Sequence, residues 1–134
     1  MTSPSIVVDA STLVLAVTDH TATGQRARTL LRGRRRHGPH LVDAEVGNVL
    51  RRMLSRGELG TEEAAHARLL AERAIHQRHP HRGPLGDGAW RLRDTMTFYD
   101  ALYVVLARSL DCPLVTGDRR LARAVHDPDE VEVV

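Results

Sequence analysis

Four carboxylates stand in similar local settings along this chain of 134 residues. Asp9 follows the apolar run Ile6-Val7-Val8 and precedes a second apolar stretch, and Glu45 comes just after "HLVD". Asp100 lies near the start of "YDALYVVLARSL", and Asp118 follows "PLVT". Taken singly, each has an ordinary structural account. Asp9 and Asp118 can cap the helices that follow them, which is typically worth about 1 kcal/mol. Glu45 gains about 0.3–1 kcal/mol from a helix N-terminus, and Thr97 with Asp100 fits a variant capping box.

Taken together, they point to other chemistry. In a parallel α/β sheet every strand-to-helix turn lies on one edge, at the carboxyl ends of the strands, where such folds place ligands. Up to four carboxylates can therefore converge on one cleft. Like charges ~4–6 Å apart raise one another's pKa, and a hard divalent cation removes that cost. Mg²⁺ or Mn²⁺ prefers carboxylate and water oxygens, and an acidic cluster without His argues against zinc. One such ion, or a pair ~3.5–4 Å apart, lowers the pKa of water and holds the attacking and leaving oxygens of an in-line displacement. That is phosphodiester hydrolysis, and Arg side chains nearby would hold the polyanionic backbone through charge-assisted bonds.

The elements that must position these acids follow from hydrophobic patterning. A strand is predicted over residues 5–9 and a short buried helix over 11–17. A second helix starts at Thr21 or Thr23 and ends in the basic run Arg32, Arg34, Arg35, Arg36, interrupted by Gly33. Gly38-Pro39 reads as a break, and "HLVD" as a short strand ending on Asp43. Val46, Val49, Leu50, Met53 and Leu54 form one helical stripe that stops at Gly57. Thr61 with Glu62 and Glu63 starts a helix running to about Gln77. Residues 79–88 read as a loop able to hide a short edge strand, with a helix from about Leu85 to Asp94. Tyr99 to Leu110, apolar nearly all round, reads as a helix buried on most sides. Pro113–Thr116 is a strand, Asp118 opens a last helix to about His126, and "VEVV" closes the sheet. This alternation implies a three-layer α/β/α domain with a mainly parallel sheet, a single domain over residues 1–134.

Composition narrows the partners. The chain is 42% hydrophobic but only 3% aromatic, so its core must be aliphatic. All 19 basic residues are Arg, and the absence of Lys excludes a phosphate-binding P-loop. A net charge of +2 and a pI near 9.3 are compatible with a nucleic-acid partner. The single cysteine, Cys112, has no partner for an internal disulfide, which suits a reducing cytoplasm. No apolar run approaches the ~20 residues that span a bilayer, so a cytoplasmic protein with no membrane partner is expected.

"VVDAST", "LVDAEVGNVLRR", "FYDALYVVLA" and "LVTGDRRLAR", in this order across nearly the whole chain, closely resemble a PIN-domain protein of the VapC toxin family. The resemblance implies a PIN fold and endoribonuclease activity supported by Mg²⁺ or Mn²⁺, with Asp9, Glu45, Asp100 and Asp118 as metal ligands. It also implies supporting roles for Ser11 and Thr116 beside the first and last acids, and for Asn48 one turn after Glu45. An RNA substrate, a cognate VapB-type antitoxin and a homodimer come with the same resemblance.

Other readings meet residue-level objections. A phospho-acceptor receiver domain resembles a family that needs a lysine, and none is present. A phosphatase of the haloacid dehalogenase type has a second Asp where this chain has Ser11. The remaining alternative is a catalytically inactive PIN scaffold that binds RNA or a protein. His76, His79 and His81 lack an acidic or Cys partner at ligand spacing and are expected in a solvated loop. Cys112 is expected to be a small buried residue, Trp90 to pack on the core, and the Arg32–Arg36 run to be a solvated helix end.

Overall fold

The computed structural model describes residues 3–134. The elements run β1 (Ser5–Val8), α1 (Ala10–Thr18), α2 (Ala22–Leu31), β2 (Arg35–Pro39), α3 (Leu41–Ser55), α4 (Thr61–Ala74), β3 (Gln77–His79), α5 (Pro84–Arg91), α6 (Phe98–Ser109), β4 (Leu114–Thr116), α7 (Arg119–Val125) and β5 (Val131–Val133). The strands form one sheet in the order β3-β2-β1-β4-β5, and every pair is parallel. From β1 through β2 to β3 the chain moves one way across the sheet, so right-handed crossovers put α1 to α4 on one face. The return to β4 and on to β5 moves the other way, which puts α5, α6 and α7 on the opposite face. The result is a three-layer α/β/α sandwich whose strand order reverses between β1 and β4.

β1 is central, and Ile6, Val7 and Val8 are all fully buried, as in a strand covered on both faces. In α6, Ala101 through Val104, Leu106 and Ala107 are buried, matching its almost continuous apolar sequence. α3 stops where the glycine signal placed its end. Gly57 adopts φ +72°, the Gly57 N–H donates to Leu54 O (3.1 Å) and the Glu58 N–H to Met53 O (2.9 Å), a Schellman closure.

Four segments depart from the sequence reading. "HLVD" is not a strand: it enters α3, and the strand is Arg35–Pro39, with Gly38-Pro39 inside it. Pro39 fits there because its N–H-less side faces β1, whose pairing with β2 has already ended at Val7–His37. α4 ends at Ala74 rather than Gln77, leaving Gln77–His79 to form the edge strand β3. α5 ends at Arg91, short of Asp94.

The basic run is a set of ties rather than a solvated helix end. Arg34 makes a two-pronged pair with Glu132 (2.9 Å each). Arg36 donates to Ala74 O at 2.6 Å and to Leu31 O at 2.9 Å, supplying donors to the open carbonyls at the ends of α4 and α2. The three histidines are likewise engaged: His76 Nδ1 accepts the Arg36 N–H (2.9 Å), His81 Nε2 accepts the Leu41 N–H (2.8 Å), and His79 Nε2 lies 3.0 Å from Nδ1 of buried His37. Trp90 does not join the core: it is 60% exposed, with the Arg93 guanidinium 5.0 Å above its ring. Cys112 is half-buried.

Candidate active site

Where the strand order reverses, the chain leaves the carboxyl ends of the paired strands β1 and β4 toward opposite faces of the sheet and opens a crevice, the usual ligand position in open α/β sheets. A cavity of about 150 Å³ lies there, lined by Asp9, Glu45, Asp100 and Asp118 together with Ser11, Asn48, Arg52 and Tyr103, among others. A larger cavity of about 330 Å³, lined by Pro113, Leu114 and Val131, lies at the opposite ends of β4 and β5, away from these acids.

Each acid is mounted by a different local device. Asp9 is the N-cap of α1: its Oδ1 accepts the Thr12 N–H at 3.0 Å and the Thr12 Oγ–H at 2.6 Å, and its Oδ2 accepts the Thr116 Oγ–H at 2.5 Å. Thr12 and Thr116 are fully buried, and Asp9 itself is only 7% exposed. Asp118 is the N-cap of α7, with Oδ1 accepting from the Arg120 and Leu121 N–H groups at 2.9 and 3.2 Å. The Thr116 hydroxyl also accepts the Asp118 N–H at 2.9 Å, so one side chain at the end of β4 orients both acids. Asp100 stands in the first turn of α6, where its N–H donates to Thr97 Oγ1 at 3.1 Å. Its carboxylate does not reach back to close a capping box but faces Arg120. Glu45 lies a full turn into α3, further than expected because β2 ends before His40, and its Oε1 accepts the hydroxyl of Tyr103 at 2.6 Å.

Electrostatics bear the mark of burial first and of crowding second. Burial raises the pKa of Asp9 above the usual carboxylate range; the Thr116 and Thr12 hydrogen bonds oppose it, while Asp118 adds to it. Burial also raises Glu45, the Tyr103 hydroxyl opposes it, and Asp100 and Asp9 push it further up. Tyr103, only 2% exposed, is itself raised by burial and by Glu45, so it remains a hydrogen-bond donor. Arg120 is the cation on the other two acids, with Nη2 3.1 Å from Asp100 Oδ2 and 3.2 Å from Asp118 Oδ2. Among the described residues, no three His, Cys, Asp or Glu side chains are drawn together as ligands of one ion.

Of the residues singled out from sequence, Asp9, Glu45, Asp100, Asp118, Ser11 and Asn48 all line the cavity, and Thr116 lies directly beneath it. Ser11 is exposed at the rim, and the hydroxyl beside Thr116 on Asp9 is that of Thr12. Asn48 Oδ1 accepts from Arg51 Nε at 3.3 Å. Thr12, Tyr103, Arg52 and Arg120 were not singled out. Thr12 and Tyr103 each follow an acid by three residues on a helix, a spacing that puts them on the acid's side. Asp43 stays outside, paired with Arg78 (Nη2–Oδ1 2.9 Å).

The PIN domain family model matches residues 6–126. Ribonuclease VapC1 of Mycobacterium tuberculosis is 44% identical over 128 residues, spanning 96% of this chain and 96% of its own. Ribonuclease VapC9 of the same organism is 42% identical over 117 residues, covering 87% of this chain and 88% of its own. PAE2754 from Pyrobaculum aerophilum superposes with a TM-score of 0.72 at 23% identity, over 97% of this chain and 84% of that one. M. tuberculosis VapC20, a toxin that cleaves the sarcin-ricin loop, gives 0.67 at 19% identity, over 90% and 95%. These two likenesses speak to fold. A family match across nearly the whole length, joined to relatives of such identity, establishes that the chain belongs to the PIN-domain family, among its VapC ribonucleases.

Proposed function

We propose that the protein is a Mg²⁺- or Mn²⁺-dependent endoribonuclease and the toxin of a type II toxin–antitoxin pair. The observation that carries this reading is the single cavity lined by Asp9, Glu45, Asp100 and Asp118, with no His or Cys in its wall. Such a donor set fits a hard cation held by oxygens, and burial, with a smaller push from the neighbouring acids, raises the proton affinities of Asp9 and Glu45, a cost that a bound cation would offset. Asp9, Asp100 and Asp118 are the proposed anchors, with Glu45 completing the set. When bound, the ion supplies positive charge for the phosphodiester oxygens and makes water more acidic.

The remaining roles belong to the chain. Thr12 and Thr116 orient Asp9 and favour its charged form against burial, and Thr116 fixes Asp118 in the same register. Tyr103 engages one oxygen of Glu45, leaving the other to orient the attacking water and accept its proton. Arg52, exposed in the cavity wall, is placed to contact the RNA backbone. The proposed partner is a cognate VapB-type antitoxin, in keeping with membership among the VapC ribonucleases, while a homodimer and a cytoplasmic setting are proposed from the sequence alone. No helix among the described residues is long and apolar enough to cross a membrane.

The test is RNA cleavage with Mn²⁺, with EDTA, and in Asp9→Asn. Cleavage should need the ion, and the variant should lose more than the ~10–100-fold typical of groups that merely orient metal ligands. Its far-ultraviolet circular dichroism without metal should match that of the wild type, so that the loss is one of chemistry rather than of fold. Full activity in EDTA or in Asp9→Asn would sink the reading. Calorimetric Mn²⁺ binding without cleavage would favour the inactive scaffold.

A further inference from the structure

The acids of the cavity are restrained by two kinds of partner. Asp9 and Glu45 are held by neutral hydroxyls, from Thr12, Thr116 and Tyr103. Asp100 and Asp118 are bridged by one nitrogen of one cation, Arg120 Nη2, at 3.1 and 3.2 Å. Asp118 divides its labour: Oδ1 caps α7 through two backbone N–H groups, and Oδ2 is the oxygen turned to the guanidinium. Releasing Oδ2 therefore leaves the helix cap intact. The Arg120 side chain is 63% exposed, so it can swing into solvent without unpacking the core, and exposed ion pairs of this kind are weak.

We propose that Arg120 is an internal counter-cation that competes with the divalent ion for Asp100 and Asp118, and must release both before the ion is bound. The bridge gives a physical reason why two of the four acids face each other across a guanidinium and no three converge as ligands. It also gives the metal-free cleft a charge it would otherwise lack, at the expense of affinity: the apparent constant for the ion is weakened by the fraction of molecules in which Arg120 is paired. This inference rests on the metal-dependent reading above and adds a positioning residue to it.

The experiment is calorimetric titration of Mn²⁺, without RNA, into the wild type, Arg120→Gln, Arg120→Ala and Arg120→Lys. Both charge-removing variants should bind Mn²⁺ about 2- to 10-fold more tightly, while Arg120→Lys, which keeps the charge, should stay nearer the wild type. The Mn²⁺ concentration for half-maximal cleavage should fall in parallel. Unchanged or weaker Mn²⁺ binding by Arg120→Gln and Arg120→Ala overturns the inference, as does a Lys variant that behaves like them. A wild type that neither binds Mn²⁺ nor cleaves RNA instead removes the metal-dependent reading itself.

Discussion

The acid cleft beyond β1 and β4 and the histidine group on β2 and β3 both crowd like groups into partly buried space, but the chain treats them in opposite ways. Burial raises Asp9 and Glu45, and the protein answers with hydroxyl donors that favour the charged forms without cancelling the rise. Burial lowers His37, His76, His79 and His81, and the protein answers by using ring nitrogens of His76 and His81 as acceptors for backbone N–H groups. Only a neutral imidazole can accept in that way. The histidines are thus satisfied as they stand, whereas the cleft gathers four carboxylates around the one bridging guanidinium of Arg120. Leftover charge of one sign in a walled cavity distinguishes a site from a structural cluster more sharply than the crowding itself does.

The two regions also load stability in opposite directions of pH. A raised carboxylate binds its proton more tightly in the folded state, so its contribution is present in acid and is lost as pH rises through the folded value. A lowered histidine binds protons better when unfolded, so stability is present above its ordinary value of about 6.5 and is lost as pH falls below it.

Thr116→Val is the most severe way to break the comparison, because it removes a donor to Asp9 and an acceptor for the Asp118 N–H at nearly constant volume. Denaturant unfolding should show a loss of about 1–3 kcal/mol, and cleavage should fall about 10- to 100-fold. A variant indistinguishable from wild type would mean that the hydroxyl does not hold the acids. Next in size, the metal-free protein should melt lower at about pH 5.5 than at about pH 7.5, the four lowered histidines outweighing the two raised acids. His81→Gln, whose carbonyl can still accept the Leu41 N–H, should lessen that drop. A His81→Gln variant whose melting temperature depends on pH just as the wild type's does would dissolve the histidine half of the contrast. The smallest effect belongs to Tyr103→Phe. Glu45 then loses the donor that opposes its raised pKa, so the acid limb of the kcat/KM profile should move to higher pH, with about 1 kcal/mol or less of stability lost. An unmoved limb removes Glu45 as the proton acceptor.

Sequence made the fold class and the location of the acids legible because both depend on short-range signals. β1 and α6 announce themselves as apolar runs, and Asp9, Asp100 and Asp118 sit within a residue or two of element starts. "HLVD" misled because Pro39 looks like a stop, yet it occupies the one side of β2 where the ladder needs no donor. Ser11 and Thr12 are adjacent hydroxyls, and only the rotation of α1 about its cap decides which of them meets Asp9. Asp9 and Asp118 could not be divided into cap or ligand by pattern, because a carboxylate has oxygens enough for both tasks. Arg120 carries no periodic signal at all: its reach to Asp100 crosses from α7 to α6 and exists only in three dimensions.

Trp90 illustrates the same limit and has a practical consequence. α5 lies so close to α6 that a Cβ on Gly88 would come within 2.6 Å of Val105, and small Ala89 fills the buried position next in sequence, leaving no room there for an indole. The chain's single tryptophan is therefore already bathed in solvent in the native state. Its emission should be red-shifted before any denaturant is added and should change little across the transition. An unfolding curve read from intrinsic fluorescence would make a cooperative protein look featureless, so far-ultraviolet circular dichroism, which follows the helices, is the signal suited to the melts above.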